Sequence, residues 1–197
     1  MNAADDAFET ACRKVAQARA MGQRRLHFNH ARFRALDRLP PEIAELRELR
    51  LLDLYGTRVE TLDLLAGLTA LQRPYLSKPA VRDITPLGGL TRLLGLGLDQ
   101  TAVRDLAPLS GLADLQGLGV ERTAVEDLRP IRDLARLGEG PLGGLRFRGT
   151  PAALRDVELR RLSEIEDNAR RTRETLAYLK TLRPAAKPAK AVRRSAT

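Results

Sequence analysis

The chain repeats itself. Four consecutive segments of 22 residues align without a gap: "LRELRLLDLYGTRVETLDLLAG" from Leu46, "LTALQRPYLSKPAVRDITPLGG" from Leu68, "LTRLLGLGLDQTAVRDLAPLSG" from Leu90 and "LADLQGLGVERTAVEDLRPIRD" from Leu112. The shared pattern is L-x-x-L-x-x-L-x-L-x-x-T-x-V-x-D-L-x-P-L-x-G. A unit this short cannot bury its apolar side alone, so successive units must stack on one another, and the chain is confined to a repeat architecture with a continuous core.

The spacing within a unit predicts its shape. In L-x-L, a period of two sends Leu96 and Leu98 to one side of a short strand and Gly95 and Gly97 to the other. The following "VRDLAPL" carries Val103, Leu106 and Leu109 at steps of three, with Asp105 placed to cap a short turn and Pro108 to limit its length. Upstream, "LHFNHARFRALDRLPPEIAEL" reads as a longer first unit, with Leu26 and Phe28 as strand anchors and Phe33, Leu36, Leu39, Ile43 and Leu46 completing it. Downstream, Leu145, Phe147 and Thr150 copy L-x-L-x-x-T after a Gly-rich insertion, which makes about six strands.

This pattern resembles the leucine-rich repeat family in its 22-residue form, known from bacterial internalins and from leucine-rich regulatory subunits of protein phosphatase 1. The resemblance runs from about Leu26 to Thr150. It implies an α/β solenoid with a curved parallel sheet on the concave face, short helical turns on the convex face and helical caps at both ends. One departure stands out: where the family carries asparagine after the strand, this chain has Thr57, Thr101 and Thr123, and Pro79 in the second unit. A threonine hydroxyl bonds one neighbouring backbone group but cannot build the amide ladder, so somewhat looser turns are expected.

With the register set by the repeat, the outward-facing residues can be placed in rows. Between the strand anchors come His27, Asp53, Tyr75, Gly97, Gly119 and Arg146; two residues further on come Asn29, Tyr55, Ser77, Asp99, Glu121 and Arg148. The rows are polar at both ends and bare in the middle. Gly95, Gly97, Gly117 and Gly119 should floor a shallow trough with an acidic lip at Asp99 and Glu121. Neighbouring strands lie about 4.8 Å apart, close enough for His27, Asp53 and Tyr75 to touch in turn.

Chemistry is not expected at this surface. "LLGLGLDQT" around Gly95 looks at first like a phosphate-cradling loop, but "LQGLGVERT" repeats it 22 residues later and neither leads into a helix with a third glycine. The His-Asp-Tyr row lacks a nucleophile and sits on an open sheet that would desolvate little. His27 and His30, three apart on a strand, point to different faces, and no further ligand completes a metal shell. No cysteine follows Cys12, so the catalytic half of leucine-rich ubiquitin-ligase effectors is not expected either. No cofactor, metal or catalytic residue is assigned.

Outside the repeats, residues 1–23 carry Phe8, Ala11, Cys12, Val15 and Ala18 at helical intervals, predicting a capping helix that ends near Gly22, with Cys12 on its buried side as a small apolar residue. The solenoid occupies 24–150. In 151–182, Leu162, Ile165, Ala169, Thr172, Leu176 and Leu179 describe a helical stripe, and Ser163 with Glu166 fits a capping box that would start a long helix running to Leu182, after a shorter helix over 152–162. It is read as a cap on the last repeat, or as a projecting helix. The final 183–197 are Pro/Ala-rich and basic, predicting disorder.

The net charge of +9 is concentrated late: 12 basic residues against 6 acidic in 151–197. No apolar run reaches the ~18 residues of a membrane span, and the start lacks a signal-peptide core. Together with the single cysteine, these point to a soluble intracellular protein, and the excess of arginine over lysine (29 to 5) with plentiful alanine points to a GC-rich bacterial genome, so the bacterial cytoplasm is expected, with delivery into a host cell as a variant. The function expected is non-enzymatic: capture of an unidentified partner protein on the concave face by His27, Asp53, Tyr55, Tyr75, Gly97, Asp99, Gly119, Glu121, Arg146 and Arg148. The alternative is a scaffold that presents its last helix and basic tail to a partner, to nucleic acid or to an anionic surface.

Overall fold

Each L-x-L pair becomes a three-residue strand, and the six strands form one parallel sheet in chain order: β1 (Arg25–His27), β2 (Leu51–Asp53), β3 (Arg73–Tyr75), β4 (Gly95–Gly97), β5 (Gly117–Gly119) and β6 (Gly144–Arg146). The computed structural model describes residues 2–78 and 80–183; Pro79 and nearly all of the basic tail lie outside them. Between strands the chain returns through short 3-10 turns such as Thr85–Leu87, Ala107–Leu109 and Arg129–Ile131, each with a proline in its first turn. Asp83, Asp105 and Asp127 accept the backbone N–H two residues on, at 2.8, 2.8 and 2.9 Å, which starts each turn. Burial alone would raise the Asp127 carboxyl, but hydrogen bonds and charge from Arg129 outweigh it and hold it below its ordinary value. The result is a leucine-rich repeat solenoid whose anchors, Leu26 and Phe28 through Leu145 and Phe147, are buried.

The turns after the strands are not loose. Thr57, Thr101, Thr123 and Thr150 are buried, and each donates its hydroxyl to the carbonyl three residues back, Leu54, Leu98, Val120 and Phe147, at 2.7–2.9 Å. The backbone N–H of each threonine reaches the same carbonyl. Instead of a ladder between repeats, the hydroxyl closes the turn within its own repeat. The residue just before each threonine is left-handed: Gly56 (φ 76°), Gln100 (62°), Arg122 (54°) and Gly149 (73°), with Lys78 (69°) at the matching place in the second unit. Three repeats therefore carry a side chain where glycine is the unstrained choice.

The two ends are capped differently. Helix α1 (Ala3–Ala20) starts at Asn2, whose side chain accepts the Ala4 and Asp5 N–H groups, and buries Ala7, Ala11, Val15 and Ala18. Phe8 and Cys12 fall at the margin of this stripe, half-buried. The expectation that Cys12 faces the buried side is corrected to that extent: burial still pushes its thiol upward, with the Glu42 charge adding to it. Phe8 carries the Arg38 guanidinium 4.3 Å above its ring.

At the other end lie α2 (Pro151–Arg155), α3 (Val157–Ser163) and α4 (Asn168–Thr181). The capping box at Ser163 does not form. Ser163 closes α3, donating its hydroxyl to the Arg160 carbonyl, and Asp167 starts α4 by accepting the Arg170 N–H at 2.6 Å. The break has a use, because it exposes the Ile165 carbonyl to the Arg171 guanidinium. Ala169, read into the buried stripe, is exposed, and the buried face of α4 is Arg171, Thr172, Thr175, Leu176 and Leu179.

Helix α4 covers the free edge of β6. Leu145 donates its N–H to the Thr172 hydroxyl at 2.8 Å, and its carbonyl accepts from Arg171 Nε at 2.7 Å. A parallel sheet must hide such groups or leave them open to pairing. Arg171 is buried with no carboxylate in contact, and burial lowers its pKa. The Tyr178 hydroxyl, donating to Asp156 at 2.8 Å, ties α4 to α3. No described helix is long and apolar enough to cross a membrane.

Candidate functional site

The sheet pairs His27 with Asp53, Asp53 with Tyr75, Tyr75 with Gly97, Gly97 with Gly119 and Gly119 with Arg146, so the first row is continuous across six strands. What these side chains do differs along it. His27 Nδ1 lies 3.7 Å from Asp53 Oδ2. That carboxylate is already engaged: it accepts from Asn29 Nδ2 at 2.8 Å and from the Tyr55 backbone N–H at 2.9 Å. Asp53 therefore fixes the start of the post-strand turn.

Tyr55 and Tyr75 are 46% and 40% exposed, unusual for large rings on a rigid sheet. Lys78 places its ammonium 5.1 Å over the Tyr55 ring, a cation-π contact. Tyr75 leans toward its neighbour: a Cβ added at Gly97 would meet Tyr75 Cδ1 at 3.4 Å and Ser77 Oγ at 3.2 Å.

The trough is real but not bare, and its lip is not a free acidic pair. Arg146 Nη2 meets Asp99 Oδ2 at 3.0 Å, and Asp99 Oδ1 accepts the Glu121 backbone N–H at 2.8 Å. This ion pair lies directly over Gly119, where a Cβ would come within 2.7 Å of both Arg146 Nη2 and Asp99 Oδ2. What stays open is a groove of about 320 Å³ toward the strand starts, reaching Gly95, Gly117, Gly144 and Pro141. Arg148, two residues after Arg146, pairs with Glu164 at 3.0 Å while remaining exposed.

One set of concave residues lies outside the rows expected from the sequence. Period two also turns outward the residue before the first anchor, which is Arg25, Leu51 and Arg73 in the first three strands. With Arg24, Arg50 and Gln72 they line a second hollow of about 270 Å³. The alternation already applied to Gly95 and Gly117 would have found them. Among the described residues no group of three or more His, Cys, Asp or Glu is placed to hold a metal.

No family model and no curated protein matches the chain in sequence. Solved structures do. A crystal structure of internalin C2 from Listeria monocytogenes superposes with a TM-score of 0.52 at 32% identity, over 56% of this chain and 47% of that one. An internalin (inlF) from the same organism matches with a TM-score of 0.48 at 28% identity, over 54% of this chain and 34% of that one. The chain thus spans less than half the length of either structure. Six parallel strands joined by short turns, the 22-residue period and the likeness to internalin C2 agree: the chain is a leucine-rich repeat protein of the internalin-like repeat class.

Proposed function

We propose that the chain is a non-enzymatic interaction module that binds a partner protein through the concave face, with Tyr55 and Tyr75 as anchors. The observation that carries this reading is the exposure of two tyrosines on neighbouring repeats of a sheet that is otherwise well packed. Aromatic side chains presented rigidly lose little entropy on binding and dominate contact energies. The other candidates take distinct parts. His27 borders the tyrosines, Gly97 and Gly119 let Tyr75 and the Asp99–Arg146 pair lie flat, Asp53 holds the turn, and Glu121 and Arg148 form the rim. The likeness to internalin C2 supports the class of function, since leucine-rich repeat scaffolds serve protein recognition. The scaffold reading, in which the last helix is offered to a partner, has less support because the buried face of α4 is committed to β6.

Combined Tyr55→Ala and Tyr75→Ala should weaken partner capture by about 100-fold, at about 1–2 kcal/mol per anchor, while circular dichroism and the melting temperature stay unchanged. A photo-crosslinking residue at position 75 should trap the same partner, and one at Arg104 on the convex side should not. A folded double variant with undiminished capture sinks the assignment.

A further inference from the structure

The arginine hollow at the starts of β1, β2 and β3 has a use that the tyrosine row does not explain. Arg25 and Arg73 flank Leu51 in register, two strand spacings or roughly 10 Å apart. Arg24 and Arg50 line the same hollow. Four arginines lining one hollow repel one another unless countercharge is supplied, and little is. Arg24 comes no closer than 4.0 Å to Glu48, and among the described residues Arg25, Arg50 and Arg73 have no carboxylate within ion-pair reach. Asp53, the acid on β2, is held by Asn29 and the Tyr55 N–H. Arg73 adds an independent sign: its Nε is buried and donates to nothing, the one such side-chain atom among the described residues. A buried donor with no acceptor is costly and rare in a folded protein.

We propose that this hollow is an anion site for a phosphate monoester, carried on a phosphorylated side chain of a protein segment lying along the concave face. The charge decides the class. A monoester brings about −1.5 to −2 at neutral pH and three acceptor oxygens, which matches three uncompensated guanidinium groups. A carboxylate or a phosphodiester brings one charge. Guanidinium forks meet phosphate oxygens in pairs, and a shift of the Arg73 side chain toward a bound phosphate would give its buried Nε the acceptor that it lacks. The source rests on the concave-face reading above: β2 and β3 carry the hollow at one end, and Tyr75 and the approach to Tyr55 at the other, so a segment held by the tyrosines passes it.

The test is a titration of the full chain with phenyl phosphate, followed through the arginine Nε–Hε signals by nitrogen-15 NMR at pH 7. A saturable shift at Arg73 Nε is expected, with affinity at least about tenfold weaker for acetate and dimethyl phosphate, and falling at pH 5 as the monoester takes up a proton. Arg25→Gln, at an exposed position that does not threaten folding, and Arg73→Lys, which keeps the charge but removes Nε, should each weaken binding severalfold. Absence of saturation, equal response to acetate, or unchanged affinity in both variants overturns the site. Preference for phosphoserine-containing peptides over their unphosphorylated forms supports a protein source. Preference for phosphatidic acid vesicles or a 5′-phosphorylated oligonucleotide overturns it. Because phenyl phosphate does not need the tyrosines, failure here leaves the tyrosine assignment standing, and loss of that assignment leaves the phosphate shift intact.

Discussion

The two halves of the concave face share a backbone and a register yet treat their side chains in opposite ways. From Gly97 to Arg148 the polar groups engage one another: Asp99 with Arg146 across Gly119, Arg148 with Glu164, and Arg171 and Thr172 with the edge of β6. From Arg24 to Tyr75 the two tyrosines are exposed, and among the described residues Arg25, Arg50 and Arg73 have no carboxylate within ion-pair reach while Arg24 meets only Glu48, at 4.0 Å. The difference lies in what the repeat leaves free. The consensus fixes the inward leucines and the turns, while the outward positions are under no packing demand, so one half ties its polar groups to one another and the other leaves most of its large side chains uncommitted. The proposed contact surface lies where polar groups are not already committed to one another, because a partner that meets them there displaces only water.

Two glycines in the left-handed region test this contrast most strongly. At Gly144 (φ 61°), in the closed half, an added Cβ would collide with the Thr172 hydroxyl and press on the Asn168 carbonyl at 3.1 Å. Gly144→Ala should cost more than about 2 kcal/mol, from strain and lost packing together. At Gly56 (φ 76°), in the open half, nothing lies within 4 Å of the added carbon, so Gly56→Ala should cost only the strain, about 1 kcal/mol. Chemical denaturation of both variants checks this, and equal losses would break the comparison.

The turns should ignore it. Thr57→Val and Thr123→Val remove equivalent hydroxyl bonds, one in each half, and each should cost about 1 kcal/mol. Thermal melts that differ by much more than this between the two would show that the halves differ in their turns as well as on their surface. The smallest effect is a gain: Gln100→Gly relieves a left-handed side chain (φ 62°) and should stabilise by about 0.5 kcal/mol after the added unfolded-state freedom is subtracted. A loss there would mean that the Gln100 side chain makes a contribution larger than its strain.

Much of this was legible before any coordinates. The six strands, their parallel order and the row from His27 to Arg146 all follow from a 22-residue period combined with a side-chain period of two, which are local rules that tolerate little alternative. The threonine turns were legible only in outline. That a hydroxyl could bond a neighbouring backbone group was evident, but its choice of the carbonyl three residues back depends on the left-handed residue before it. The capping box at Ser163 failed because a short motif cannot sense that Arg171, further along, needs the Ile165 carbonyl. The acidic lip failed for a related reason, since Asp99 finds its partner 47 residues away.

The sequence by itself determined the solenoid, its register and which residues face outward, because stacking identical units leaves one way to bury the leucines. Only the tertiary structure decided which outward residues are already engaged and which are free. Asp99 with Arg146, Arg171 with Leu145, and the buried unpartnered Nε of Arg73 depend on distances between side chains of different repeats and caps, and no period along the chain encodes those distances.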